Sequence, residues 1–122
     1  MDKEPDRRGR TRVGYHGRAE IWLEGSRIPE AILRDISING LFAETGEKAE
    51  IGRPCEVVIL LGPGDGQAVR IEGRISRSEE TGFAIEFKAI DPESYDHLRN
   101  IVLYNSPEPD RIEAELARPG IR

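Results

Sequence analysis

The spacing of apolar and polar residues divides the chain into three stretches. Residues 1–12 show no apolar periodicity and carry Pro5 and Gly9, which predicts a flexible arm. Order is expected from about Tyr15. In Ala19-Glu20-Ile21-Trp22-Leu23-Glu24, small or apolar residues at 19, 21 and 23 alternate with the others, as in a strand with one buried face. Gly25-Ser26 predicts a tight turn and Arg27 to Ile36 a returning strand. Asp35-Ile36-Ser37-Ile38-Asn39-Gly40 interrupts that strand, and Leu41-Phe42-Ala43 resumes a short apolar run. A polar connection from Gly46 to Pro54 leads to Cys55–Leu61, which has the length and β-branched content of a strand. Gly62-Pro63-Gly64-Asp65-Gly66 reads as a loop. Beyond it Val69, Ile71, Gly73 and Ile75 alternate with charged residues, Thr81-Gly82 turns the chain, and Phe83, Ile85 and Phe87 point inward. Six short strands joined by glycine-rich turns predict an antiparallel barrel or sandwich.

The period then changes to that of a helix. Asp91-Pro92 is an N-cap followed by proline at the first helical position. Tyr95, Leu98, Ile101 and Val102 form one apolar face over about three turns. Prolines at 107 and 109 restart the chain, Ile112 and Leu116 predict a second short helix, and Pro119-Gly120 ends it. The expected organisation is an arm at 1–12, a β-barrel with a packed helix at 13–104, and a helical tail at 105–122.

Composition refines this picture. A chain of 122 residues is expected to form one domain. Its 37% hydrophobic and 34% charged content implies that part of it lies outside the core. No apolar stretch approaches the roughly 18–20 residues that span a bilayer, and the N-terminus has no apolar signal segment. Cys55 is the only cysteine, so no intramolecular disulfide forms, which fits a reducing compartment. A cytoplasmic protein without membrane insertion is expected.

The net charge of −5 opposes binding of long nucleic acids. Yet Arg7 to Arg18 contains five arginines and no acidic residue. A positive region on an otherwise negative protein suits a small anion, because the acidic remainder repels an extended duplex.

No catalytic constellation accompanies it. His16 and His97 are far apart and Cys55 has no partner at ligand spacing, so no zinc site is expected. Ser37 has no histidine or lysine arranged near it in sequence, and nothing singles out a pair of carboxylates. The glycine-rich 62–66 stretch lacks the lysine and Ser/Thr of a phosphate loop. The expectation is a protein that is not an enzyme and needs no cofactor.

Arginine forks match phosphate oxygens and the O6/N7 edge of guanine. Alone, Arg7, Arg8, Arg10 and Arg12 read as a solvated basic tail. Asp35, Ser37 and Gly40 alone read as ordinary turn residues, with Asp and Ser bonding the turn backbone and Gly40 supplying a positive φ. Together they are complementary. Arginines read phosphate and one guanine edge, while the Asp35 carboxylate accepts from guanine N1–H and N2–H and Ser37 bonds phosphate or base.

Arg8-Gly9-Arg10-Thr11-Arg12 matches an RxxxR motif and Asp35-Ile36-Ser37-Ile38-Asn39-Gly40 a [D/N]xSxxG motif. In this order, with a strand and hairpin between them, the pair resembles PilZ domains, which bind the bacterial second messenger cyclic di-GMP. Val13, Leu41-Phe42 and Gly82–Phe87 also resemble that family, over residues 7–104. The resemblance implies a six-stranded antiparallel barrel, PilZ-like, with a flanking helix. It implies phosphate and guanine contacts from Arg8 and Arg12, with barrel-side contacts from Asp35, Ser37 and Gly40. Arg7 is expected as an additional clamp, and Arg77 as a residue stacking on a guanine. Trp22 is also a chemically suitable stacker, but is expected to be half-buried core.

The function implied is that of a small receptor that binds cyclic di-GMP and signals to an unidentified protein partner. The rival is a ligand-independent protein–protein adaptor, a role some PilZ-like proteins have. A single-stranded nucleic-acid binder is disfavoured, because the seven aromatic residues fit core or helix positions.

Overall fold

The computed structural model describes residues 13–61 and 68–106. Six strands close into one antiparallel barrel in the order β1-β2-β3-β6-β5-β4, with β4 returning to pair with β1. They are β1 (Val13–Leu23), β2 (Ser26–Ile36), β3 (Gly40–Glu44), β4 (Pro54–Leu60), β5 (Ala68–Glu79) and β6 (Gly82–Ile90). One helix follows, α1 (Pro92–Asn105). The arm at 1–12, the glycine-rich loop and the expected C-terminal helix lie outside the described residues.

Period-2 patterning builds the interior. Ala19, Ile21 and Leu23 of β1 point inward with Val57 and Ile59 of β4, Val69, Ile71 and Ile75 of β5, and Phe83, Ile85 and Phe87 of β6. Closure leaves no sheet edge, so the ladder bonds of every strand are satisfied within the barrel. Leu98 and Val102 of α1 join the same core, and the helix packs against β5 and β1. Its start is fixed by Asp91, whose side chain accepts a hydrogen bond from the Ser94 N–H at 3.1 Å. That bond holds the Asp91 carboxyl below its ordinary value. Ser94 is itself buried, and its hydroxyl accepts from the Arg70 N–H at 3.0 Å, pinning the first turn of α1 to β5.

Several details differ from the sequence pattern. The first hairpin turns on Glu24-Gly25, with Leu23 opposite Ser26 and Gly25 at φ 83°. The strand therefore resumes one residue earlier than expected. β5 continues to Glu79, because Arg77, Ser78 and Glu79 pair with Ala84, Phe83 and Gly82. Residues 76–79 are exposed, so they give no alternating signal. Trp22 is not half-buried core. It faces outward at 44% exposure, with the Arg27 guanidinium 4.9 Å from its ring centroid.

Candidate ligand-binding site

Ladder register determines what surrounds the 35–40 turn. Val13 lies opposite Ile36, and Gly14 opposite Asp35. Arg12, the last residue of the expected arm, is therefore one peptide bond from a residue paired beside the turn. Arg7, Arg8 and Arg12 themselves lie outside the described residues.

The approach to the turn contains a bulge. Leu33 pairs with Ala43 and Asp35 with Phe42, so Arg34 is the extra residue on β2. Leu33 and Ile36 are both fully buried in the core, which leaves Arg34 and Asp35 as neighbours on the outer side between them. A bulge re-aims side chains in this way.

The turn is held internally. The Ser37 N–H donates to the Gly40 carbonyl at 2.8 Å. The Ser37 hydroxyl donates to Asn39 Oδ1 at 2.8 Å, and accepts from the Asn39 N–H at 3.2 Å. Asn39 in turn accepts from the Phe87 N–H at 2.9 Å, tying the turn to β6, and Ile38 plugs into the core. Ser37 is 1% exposed, so its hydroxyl is engaged in shaping the turn. Gly40 has no positive φ. A Cβ there would lie 2.8 Å from the Ile85 carbonyl oxygen, so close approach of β3 to β6 requires the glycine.

Asp35, Ser37 and Gly40 thus form one corner of the barrel. Arg77 lies on the same outer face, since Asp35 pairs with Phe42, Phe42 with Ala84, and Ala84 with Arg77. At roughly 4.8 Å per strand that row spans about 14 Å. Arg77 donates through Nε to Glu79 at 2.7 Å.

Two further residues belong to this face. Phe42 is 1% exposed yet lies outside the inner cluster formed by its neighbours Leu41 and Ala43. Two guanidinium groups lie over its ring, Arg34 at 4.4 Å and Arg77 at 5.9 Å from the centroid. Arg34 also donates to Glu44 at 3.0 Å. Both residues left a trace in the sequence. Leu33 and Ile36 stand three apart in a strand, and three apolar residues in a row at 41–43 place one of them outside. Trp22, by contrast, stands at the other end of the β1–β2 hairpin, roughly 30 Å along the strand.

The chemistry offered is recognition of an anion with a flat polar base: planar cations, a carboxylate and a rigid turn. Among the described residues no three His, Cys, Asp or Glu gather as metal ligands. No described helix is long and apolar enough to cross a membrane.

A closed six-stranded barrel with one flanking helix and this ligand-suited corner defines a small binding module. The chain belongs to the PilZ domain family, whose model matches residues 6–104. PilZ domains are non-catalytic, and proteins that carry them generally bind cyclic di-GMP. Solved structures agree on the fold. The inhibitor of motility MotI/DgrA from Bacillus subtilis has a TM-score of 0.63 at 16% identity, over 98% of this chain. This chain spans 54% of the length of that protein. The PilZ domain of CeSA from a cellulose-synthesizing bacterium has a TM-score of 0.62 at 14% identity, covering 75% of this chain and 94% of that one. The PilZ domain of YcgR from Escherichia coli, solved with cyclic di-GMP, has a TM-score of 0.61 at 17% identity, covering 89% of this chain and 98% of that one.

Proposed function

We propose that the protein is a cytoplasmic receptor for cyclic di-GMP, and that binding draws the arm over the barrel to make a surface a partner protein reads. The observation that carries this reading is the register at β1. It pairs Val13 with Ile36 and Gly14 with Asp35, so the chain enters β1 next to the turn, which supports both motifs serving one ligand. In this reading Arg8 and Arg12 grip phosphates and guanine edges, and Arg7 adds a third fork. Asp35 accepts from the guanine N1–H and N2–H. Ser37 and Gly40 set the shape of the turn that presents Asp35, and Arg77 stacks on a guanine. Ordering the arm costs conformational entropy, which the charge-assisted bonds offset.

Titration calorimetry with cyclic di-GMP tests this. A saturable heat at micromolar ligand is expected. No heat at tens of micromolar protein contradicts the reading and favours the ligand-independent adaptor.

A further inference from the structure

Arg34 lies on this face outside both motifs, and its surroundings restrict what it can do. The β2 bulge brings it to the outer side next to Asp35. Its guanidinium carbon lies over the Phe42 ring, 4.4 Å from the centroid, and its Nη1 donates to Glu44 at 3.0 Å. Its side chain nevertheless remains 47% exposed. With Phe42 on one side and Nη1 held by Glu44, it offers a ligand its outward flat face. A planar base needs only such a plane to stack on. The plane is preorganised, since ring and carboxylate hold it from two directions, so stacking costs little further side-chain entropy.

We propose that Arg34 is a base-stacking residue of the site, completing a Phe42–Arg34–guanine stack beside the carboxylate that reads the same base. The inference rests on the cyclic di-GMP reading above. It assigns Asp35 to the guanine edge and Arg34 to the guanine face. Glu44 and Phe42 act as positioning residues behind Arg34. A purine ring is the ligand chemistry this arrangement takes.

The test compares wild type, Arg34→Lys and Arg34→Ala in calorimetric titrations with cyclic di-GMP, with thermal melting of each. Lysine keeps the charge and loses the plane, so both variants are expected to bind about tenfold more weakly than wild type. Wild-type affinity in Arg34→Lys overturns the proposal, because charge alone would then suffice. Wild-type affinity in Arg34→Ala overturns it outright. Absence of binding by the wild type instead sinks the parent reading. A second measurement uses the unmodified protein, so that loss of fold in a variant leaves the question decidable. In its NMR spectrum the Arg34 Nε–H signal should move upfield on ligand addition, under the guanine ring current. A signal that stays in place at saturation overturns the proposal.

Discussion

Gly40 and Cys55 show how single residues are fixed by space. The Cβ of an alanine at 40 would lie 2.8 Å from the Ile85 carbonyl, against backbone with little freedom to retreat. Gly40→Ala should therefore cost about 1–3 kcal/mol in urea unfolding, the usual penalty for overpacking. An unchanged midpoint would mean that β3 and β6 separate easily. Cys55 is buried, and loss of water pushes its thiol up to about 11 from 9.0. Because a thiol raised in this way stays protonated longer in the folded protein, the burial contributes stability below about pH 9 that declines as pH rises toward 11. At pH 8 the folded thiol should alkylate about a hundredfold more slowly than in urea, followed by mass spectrometry with iodoacetamide. Sequence made Asp35, Ser37 and Gly40 legible as a set, but not the division among them. Ser37 and Gly40 serve the turn, a distinction set by burial and by the distance to β6, which no linear spacing encodes.

The strands were readable wherever one face is buried, and indistinct where both are wet. β5 beyond Ile75 pairs in full although exposed, so alternation gave no sign of it. The bulge at Arg34 was present in the sequence as two polar residues between Leu33 and Ile36. Its consequence, Arg34 beside Asp35 over Phe42, required the register with β3. Helix α1 was legible from both its cap and its period, because Asp91-Pro92 encodes a start whatever the tertiary context. Hydrogen bonding from the Ser94 N–H lowers the Asp91 carboxyl in the folded chain. The stability it contributes is present above the unfolded carboxyl value and lost as pH falls through the lower folded value. Asp91→Ala should lower the melting temperature at pH 7, and the gap to wild type should close as acid protonates the carboxyl in the folded chain. A gap that persists under acid would assign the effect to something other than the charged cap.

Across the whole molecule the charge distribution argues for a compact ligand. The net charge of −5 surrounds a single run of arginines from 7 to 18 free of acidic residues. Binding of a doubly charged cyclic dinucleotide should weaken with salt at a log–log slope of no more than about 2 per ligand. A slope of about 5 or more would mark a polyanion and contradict the small-ligand account. The barrel closes through β1 and β4, while the β1–β2 ladder sets the start of β1 beside the turn after β2. The residue that follows the first motif, Val13, thereby lies opposite Ile36 of the second, more than twenty positions away in sequence.

The central claim is that the arm and the turn form one site, and affinity across both halves tests it most directly. Cyclic di-GMP should be titrated into wild type, Arg8→Ala, Arg12→Ala and Asp35→Ala, each checked for an unchanged circular dichroism spectrum. The account predicts that every variant binds about 10- to 100-fold more weakly, because each loses a charge-assisted contact to the same ligand. Wild-type affinity in both arm variants, with loss only in Asp35→Ala, would show that the arginines are a tail and contradict the account.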